Sequence, residues 1–233
     1  MKKFLLAAAM LLGAAGGVSA QSASDPVAFD WTGFYGGVFA GYGAGQATFT
    51  DIDSYNLAGE IFASNLGGGL AGLTLGYNAQ HDAVVFGLEG ELGYLGVTGT
   101  VAQPSSSSDS FASVNGALYG TLAARLGLSL DRALIYAKGG VALTSGQSAF
   151  DDACVIPPCG AATLSARSGA QFGYTIGVGV EYAFTDQWSA KLEYGYLGFR
   201  NGSMSGTAST GNDFSYGHDL SAHTIKAGLN YRF

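Results

Sequence analysis

The sequence predicts an all-β protein, an eight-stranded antiparallel up-and-down β-barrel that is transmembrane. Three observations carry that expectation. Apolar and polar residues alternate through eight runs, and the last of these, Lys226 to Phe233 (KAGLNYRF), alternates right up to an aromatic carboxy-terminus. The links between runs are alternately short and long, as hairpins with tight turns at one end and larger loops at the other would be. After the amino-terminal segment, every apolar stretch is broken by glycines and polar residues at strand spacing, so membrane insertion requires a closed barrel.

The amino-terminus reads as an export signal. Met1-Lys2-Lys3 is a positive region, Phe4 to Leu12 (FLLAAAMLL) is an apolar region, and Val18-Ser19-Ala20 offers small residues for cleavage before Gln21. Its apolar run is well short of the ~20 residues a spanning helix needs. Residues 1–20 are therefore assigned to a secretory signal peptide, 21–30 to an N-terminal linker, and 31–233 to the barrel.

Each run has two faces, because successive side chains of a strand point to opposite sides. After Trp31 the first run places Phe34, Gly36, Val38, Ala40 and Tyr42 outward. The second, Gly69 to Asn78, gathers Ala71, Leu73, Leu75 and Tyr77, and Gln80-His81-Asp82 reads as its turn. The third sets Val84, Phe86, Leu88, Leu92 and Tyr94 against Glu89 and Glu91. Two carboxylates inside an apolar run are tolerable only where they point away from lipid. The fourth, Val114 to Leu126, turns Leu118, Leu122 and Leu126 out and Tyr119, Thr121 and Arg125 in, with Leu128 to Arg132 as its turn. In the fifth, Ile135, Ala137, Val141 and Leu143 oppose Tyr136 and Lys138. The sixth alternates from Phe172 to Phe184 with Glu181 inward, and the seventh opposes Trp188, Leu192 and Tyr194 to Lys191 and Glu193. The eighth turns Ile225, Ala227, Leu229, Tyr231 and Phe233 out and Thr224, Lys226, Gly228, Asn230 and Arg232 in.

Short links are expected near 79–83, 127–133 and 185–187, and long polar ones near 45–68, 97–112, 145–170 and 200–221. Both termini, including the 21–30 linker, then lie on the periplasmic side. Ser105 to Ser108 and Gly202 to Asn212 are low in complexity and read as loop tips. Glycine contributes 38 of 233 residues and charged residues only 12%, against about 25% charged in ordinary globular domains. Loss of the two positive charges of Lys2 and Lys3 takes the formal net charge from −7 to −9, which leaves no electrostatic footprint for nucleic acid.

The end of the chain resembles the carboxy-terminal assembly signal of bacterial outer-membrane barrels. A polar residue, a glycine two on, and aromatics three and five beyond it are matched by Lys226, Gly228, Tyr231 and Phe233. WTGFYGGVFAGYG, LTLGYN, GVGVEYAFTDQWSAKLEYGYL and HTIKAGLNYRF resemble the small eight-stranded, OmpA-like outer-membrane barrels of alphaproteobacteria, the "porin family" proteins. That resemblance implies residence in the outer membrane of a Gram-negative bacterium and handling by the barrel-assembly machinery.

Inward parity collects Glu89, Glu91, Arg125, Lys138, Glu181, Lys191, Glu193, Lys226 and Arg232, and an eight-stranded bore is just wide enough for side chains to fill. An interlocked ion-pair plug is therefore expected. Outward aromatics Tyr42, Tyr77, Tyr94, Tyr182, Trp188, Tyr194, Tyr231 and Phe233 are expected to form a belt that sets depth. Cys154 and Cys159 (CVIPPC), a lone pair in an exported loop, are expected to form a disulfide. His218 and Asp219, with Ser215 and Ser221 nearby, fall near the outer rim, but serines fill every loop and the coincidence carries no catalytic signal. Asp51 and Asp53 read as a solvated loop, not as a calcium site.

The expected role is structural: a non-enzymatic barrel with no cofactor or metal that contacts outer-membrane lipid and lipopolysaccharide, supports envelope integrity and presents surface loops. The alternatives are a small-solute or ion porin and a barrel that binds haem, through His218 or His223, or a host receptor.

Overall fold

In a computed structural model the protein is described at residues 29–105, 110–145, 147–152, 162–166, 171–207, 211 and 213–233. The signal-peptide assignment, most of the linker, and Cys154 and Cys159 lie outside the described residues. The described chain runs through β1 (Gly33–Asp51), β2 (Ile61–His81), β3 (Val84–Leu95), β4 (Gly99–Ala102), β5 (Ser110–Asn115), β6 (Ala117–Leu130), β7 (Ala133–Thr144), β8 (Gln147–Asp152), β9 (Ala162–Ala166), β10 (Gln171–Ala183), β11 (Trp188–Thr207) and β12 (Asp213–Arg232).

Eight of these close into one antiparallel barrel in the order β1-β12-β11-β10-β7-β6-β3-β2. The closing seam joins the first strand to the last, in unbroken register from Tyr35 opposite Arg232 to Asp51 opposite Tyr216. The Phe233 amide extends it by donating to the Phe34 carbonyl at 3.0 Å. With the ring closed, each barrel strand is paired on both sides through the apolar band, which is what lipid demands.

The outward apolar side chains stay exposed, Leu73 at 60%, Leu92 at 62% and Ile225 at 60% among them. Aromatics bound this band at two levels. Tyr42, Tyr94 and Tyr194 stand at its loop end, where Ile225 is the register partner of both Tyr42 and Tyr194. Tyr77, Tyr182, Trp188, Tyr231 and Phe233 stand at the short-turn end, with Tyr231 packed edge-on against Trp188 (5.1 Å) and Phe233 (5.3 Å).

The long links depart from expectation, because most of them are strand. β1 and β2 run for 19 and 21 residues, and β11 and β12 for 20 each, about twice the ~9–11 residues that cross a bilayer. Residues 202–207, expected as a low-complexity loop tip, belong to β11. Above the apolar band the four long strands meet a second sheet of order β4-β5-β8-β9. An isolated bridge between Gly67 and Thr98 ties its near edge to β2, and β9 lies beside β11.

In this upper storey the polarity of the two faces inverts while the burial alternation continues. Along β1 the outward residues change from Phe34, Val38 and Tyr42 to Gln46, Thr48 and Thr50, while the inward ones become Ala47 and Phe49. Phe62, Leu66, Val97, Val114, Phe150, Met204, Phe214 and Tyr216 complete a buried core there. Asp51 is also buried, not solvated: its carboxylate accepts the backbone N–H groups of Tyr55, Asn56 and Leu57.

At the other end two of the three turns are shorter than expected, and the third, expected at 185–187, spans 184–187. β2 continues through His81 and β6 through Leu130, so the two shorter turns are Asp82-Ala83 and Asp131-Arg132. Both aspartates adopt the left-handed backbone (φ 53° and 54°), which a short polar side chain tolerates best among non-glycine residues.

Glycine's abundance has a packing reason. Phe39 lies over Gly72, Tyr119 over Gly93, Tyr136 over Gly179, Phe199 over Gly173 and Tyr35 over Gly76, each ring on its direct cross-strand partner. A Cβ at Gly179 would stand 2.5 Å from the Tyr136 phenol and 2.9 Å from the Leu192 carbonyl. Gly179→Val is expected to destabilise the refolded barrel by about 1–3 kcal/mol, read as a lower urea midpoint. Deleting Phe233, or Tyr231→Asp, is expected to abolish assembly into the membrane, scored by loss of the heat-modifiable gel band.

Candidate functional site: the filled lumen

Inward parity and register bring eight charged side chains to the middle of the barrel. Arg125 of β6 is the register partner of Lys138 of β7, Glu181 of β10 that of Lys191 of β11, and Glu193 of β11 that of Lys226 of β12. Glu89 and Glu91 of β3 face them across the bore. None of the eight is more than 6% exposed. Such burial of charge is sustainable only when the groups are paired and hydrogen-bonded.

Lys138 is the centre of the arrangement. Its Nζ lies 2.6 Å from Glu89, 2.8 Å from Glu91 and 2.9 Å from Glu193. Those three carboxylates converge closely enough to hold a metal ion, and the lysine ammonium occupies the place between them. Lys226 bridges Glu91 (2.8 Å) and Glu193 (2.6 Å), and Lys191 reaches Glu89 at 3.3 Å and the Thr74 hydroxyl at 3.2 Å. Arg125 pairs with Glu181 at 2.5 Å and lies over the Tyr136 ring, its Cζ 3.6 Å from the centroid. Four carboxylates thus face four cations.

Neutral groups take up further lone pairs. Tyr35 donates to Glu89 (2.8 Å), Tyr136 to Glu193 (3.0 Å), and Ser189 and Asn230 to Glu181 (2.5 and 2.7 Å). Sequence reading named the charges but not these partners, although all four share their inward parity.

Arg232, expected among the plug charges, is not one of them. As the last strand residue it sits at the short-turn mouth, where it donates to the backbone carbonyls of Asp30 and, at 2.6 Å, Asp186. It holds the Phe29 ring from one side (4.3 Å), while Arg132, paired with Asp186, approaches that ring at 5.1 Å. The Trp31 indole donates to the Asp131 carbonyl and is buried with Val85, Leu134, Tyr136 and Ala183, so the start of the described chain caps the mouth. Beside it, Thr32's side-chain and backbone hydrogen bonds hold the Asp30 carboxyl below the usual carboxylate range.

On the loop side of the plug the bore is filled by Phe39, Leu70, Leu95, Tyr119, Leu197 and Phe199, continuous with the upper core. The expectation of ion pairs alone was incomplete: the lumen is closed at the mouth by Trp31, in the middle by charge and above by apolar packing.

The histidines do not converge. His218 is buried against Gln171 and Phe49, whereas His223, five residues along the same strand, faces outward between Tyr194 and Tyr196. Asp219 likewise points away from His218, to the opposite face. His81 is exposed beside Asp82 at the short-turn end. In the terminal strand, Gly228 lies against the Lys191 side chain and the Tyr231 hydroxyl accepts a hydrogen bond from Gln187.

A family model described as "Outer membrane protein beta-barrel domain" matches residues 6–233. The chain is 34% identical to the 31 kDa outer-membrane immunogenic protein of Brucella melitensis biotype 1, over 92% of this chain and 89% of that one. It is 28% identical to the 22 kDa outer membrane protein of Rhizobium leguminosarum bv. viciae, over 92% and 83%. Among solved structures, the outer membrane protein OprG of Pseudomonas aeruginosa superposes with a TM-score of 0.54 at 14% identity, over 87% of this chain and 96% of that one. At that identity the likeness concerns the fold.

Lys138→Ala is expected to destabilise the barrel by about 3–5 kcal/mol, since it leaves three buried carboxylates without their shared cation. The measurement is the shift of the guanidinium unfolding midpoint, with Arg132→Ala at the half-exposed rim pair changing it by no more than about 1 kcal/mol.

Proposed function

The chain belongs to the outer membrane protein β-barrel family, and from that membership we propose that its work is structural: a non-conducting barrel that supports envelope integrity and carries surface loops into the medium. The observation that supports this reading is the filled lumen. A solute path needs a continuous polar bore, and here a capped mouth, a charge-balanced plug and an apolar core follow one another along the axis. An eight-stranded ring has no width left beyond what these side chains occupy.

The two aromatic levels hold the barrel at a fixed depth in lipid, with the termini on the periplasmic side and the upper storey outside. Its contacts are with outer-membrane lipid and lipopolysaccharide, and its terminal strand carries the features that the barrel-assembly machinery reads. The word immunogenic in the name of the Brucella relative fits a barrel whose strands stand clear of the membrane, and the same exposed storey is where a host receptor would dock. The packing of the described lumen residues weighs against a porin role, and the placement of His218 and His223 on opposite faces weighs against a haem role.

Single-channel recording of the refolded protein in a planar bilayer tests the reading. Silence is expected from the native protein, and also from Glu89→Ala/Arg125→Ala, because the apolar packing around Phe39 and Tyr119 remains. Steady conductance steps from the native protein would put the porin alternative first.

A further inference from the structure

The outer wall of β1, β11 and β12 carries a recess just above the apolar band. Its floor is interrupted by a β-bulge: Phe199 pairs with Leu220, and the next pair is Gly202 with His218, so Arg200 and Asn201 stand together opposite Asp219. Bulges of this kind re-aim side chains out of the regular alternation. Asn201 takes the left-handed backbone (φ 60°) and its amide donates to the Asp219 carboxylate at 2.9 Å. Arg200 and Asn201 are consequently both exposed on the outer wall. Among the described residues Arg200 is the one cationic side chain on the outer wall of this half of the molecule, the others lying in the lumen or at the periplasmic mouth.

The recess encloses about 170 Å³ and is lined by Gln46, Thr48, Tyr196, Arg200, Asp219 and Ser221. Register places these side by side, Gln46 opposite Ser221 and Thr48 opposite Asp219. Immediately below, His223 accepts or donates a 2.6 Å hydrogen bond with the Tyr194 hydroxyl and packs edge-on against Tyr196 at 5.0 Å. Below that shelf the wall is apolar: Tyr42, Ile225 and Leu192 are all more than half exposed.

We propose that this recess binds the phosphorylated sugar head group of an outer-leaflet glycolipid, with the acyl chains lying on the wall beneath. The assignment deepens the structural reading above and rests on it. Arg200 supplies a planar set of donors for a phosphate. Gln46, Thr48, Ser221 and the Asp219 carboxylate supply the mixed donors and acceptors that sugar hydroxyls require. The aromatic and imidazole shelf marks the level at which amphipathic rings sit in the head-group region, so the polar recess and the apolar wall meet where such a lipid changes character. A simple anionic phospholipid satisfies Arg200 alone; a phosphorylated glycolipid satisfies the whole lining.

The experiment places the full mature chain in nanodiscs of phosphatidylcholine alone, with phosphatidylglycerol added, or with lipid A added, and counts retained lipid by native mass spectrometry. Folding is checked by heat-modifiable gel mobility. Lipid A is expected to stay bound where phosphatidylglycerol does not, and Arg200→Gln is expected to lower its retention about tenfold, the scale of one charge-assisted hydrogen bond. Gln46→Leu is expected to weaken it as well, while Arg132→Gln at the opposite end leaves it unchanged. Equal retention by the Arg200→Gln variant, equal retention of phosphatidylglycerol, or displacement of lipid A by inorganic phosphate would each overturn the proposal. Conductance is a separate readout: a leaking barrel that still retains lipid A would sink the structural reading and not the site, and a silent barrel that retains none would do the reverse.

Discussion

A ring of eight strands leaves a bore that side chains can fill, and most of this structure follows from having to fill it. The inward faces carry aromatic rings large enough to reach across, and each needs space on the neighbouring strand. Glycine provides that space as the direct partner of Tyr35, Phe39, Tyr119, Tyr136 and Phe199. The rings in turn organise the charges, as Tyr35 and Tyr136 both donate to buried carboxylates and flank the Arg125 guanidinium. Composition, packing and electrostatics are one solution to one geometric constraint.

The second constraint is that the medium changes along each long strand. Below Tyr42 the outside is lipid and the apolar residues face out; above it the outside is water, and Ala47 and Phe49 face in. The backbone ladder continues through this change without a break along β1, β2 and β12. β11 marks the crossing with its bulge, and the other four barrel strands hand over to β4, β5, β8 and β9. The inversion explains why the upper core resembles that of a water-soluble sheet packing while the lower half does not.

The lower half was legible in the sequence because alternation there is reinforced by lipid: a charge such as Glu89 or Lys191 in an apolar run has one permitted direction. The upper half was obscured because its outward residues are the serines, threonines and asparagines that also make loops, and its inward ones include alanine and glycine. The available signal was even spacing within each strand: Phe49 with Phe39, Phe62 with Leu66 and Leu70, and Phe214 with Tyr216. Asp51 read as solvated because nothing local shows that its carboxylate caps the turn at 55–57. Arg232 has the right parity for the plug but the wrong level, and level along the axis depends on register, which a single strand's sequence does not contain. The same limit hid the recess at Arg200, since a bulge exists only relative to a partner strand.

Buried ion pairs are weak contributors to net stability and stronger ones to specificity. Here the pairing is mostly between strands that are not neighbours: Lys138 of β7 and Lys191 of β11 both reach Glu89 of β3, and Lys226 of β12 reaches Glu91 of β3. Those contacts exist only in the closed ring. A one-residue slip in any contributing strand would turn its charge to lipid, at about 2–4 kcal/mol for a lysine or arginine near the midplane, and would strip its partners at the same time. Lys226 sits in the terminal strand, so Glu91 and Glu193 gain their second cation only when that strand is in place beside β1. Lys226 of the terminal strand is therefore the residue that completes the neutral lumen, and correct closure at the seam and electrical balance in the core become the same event.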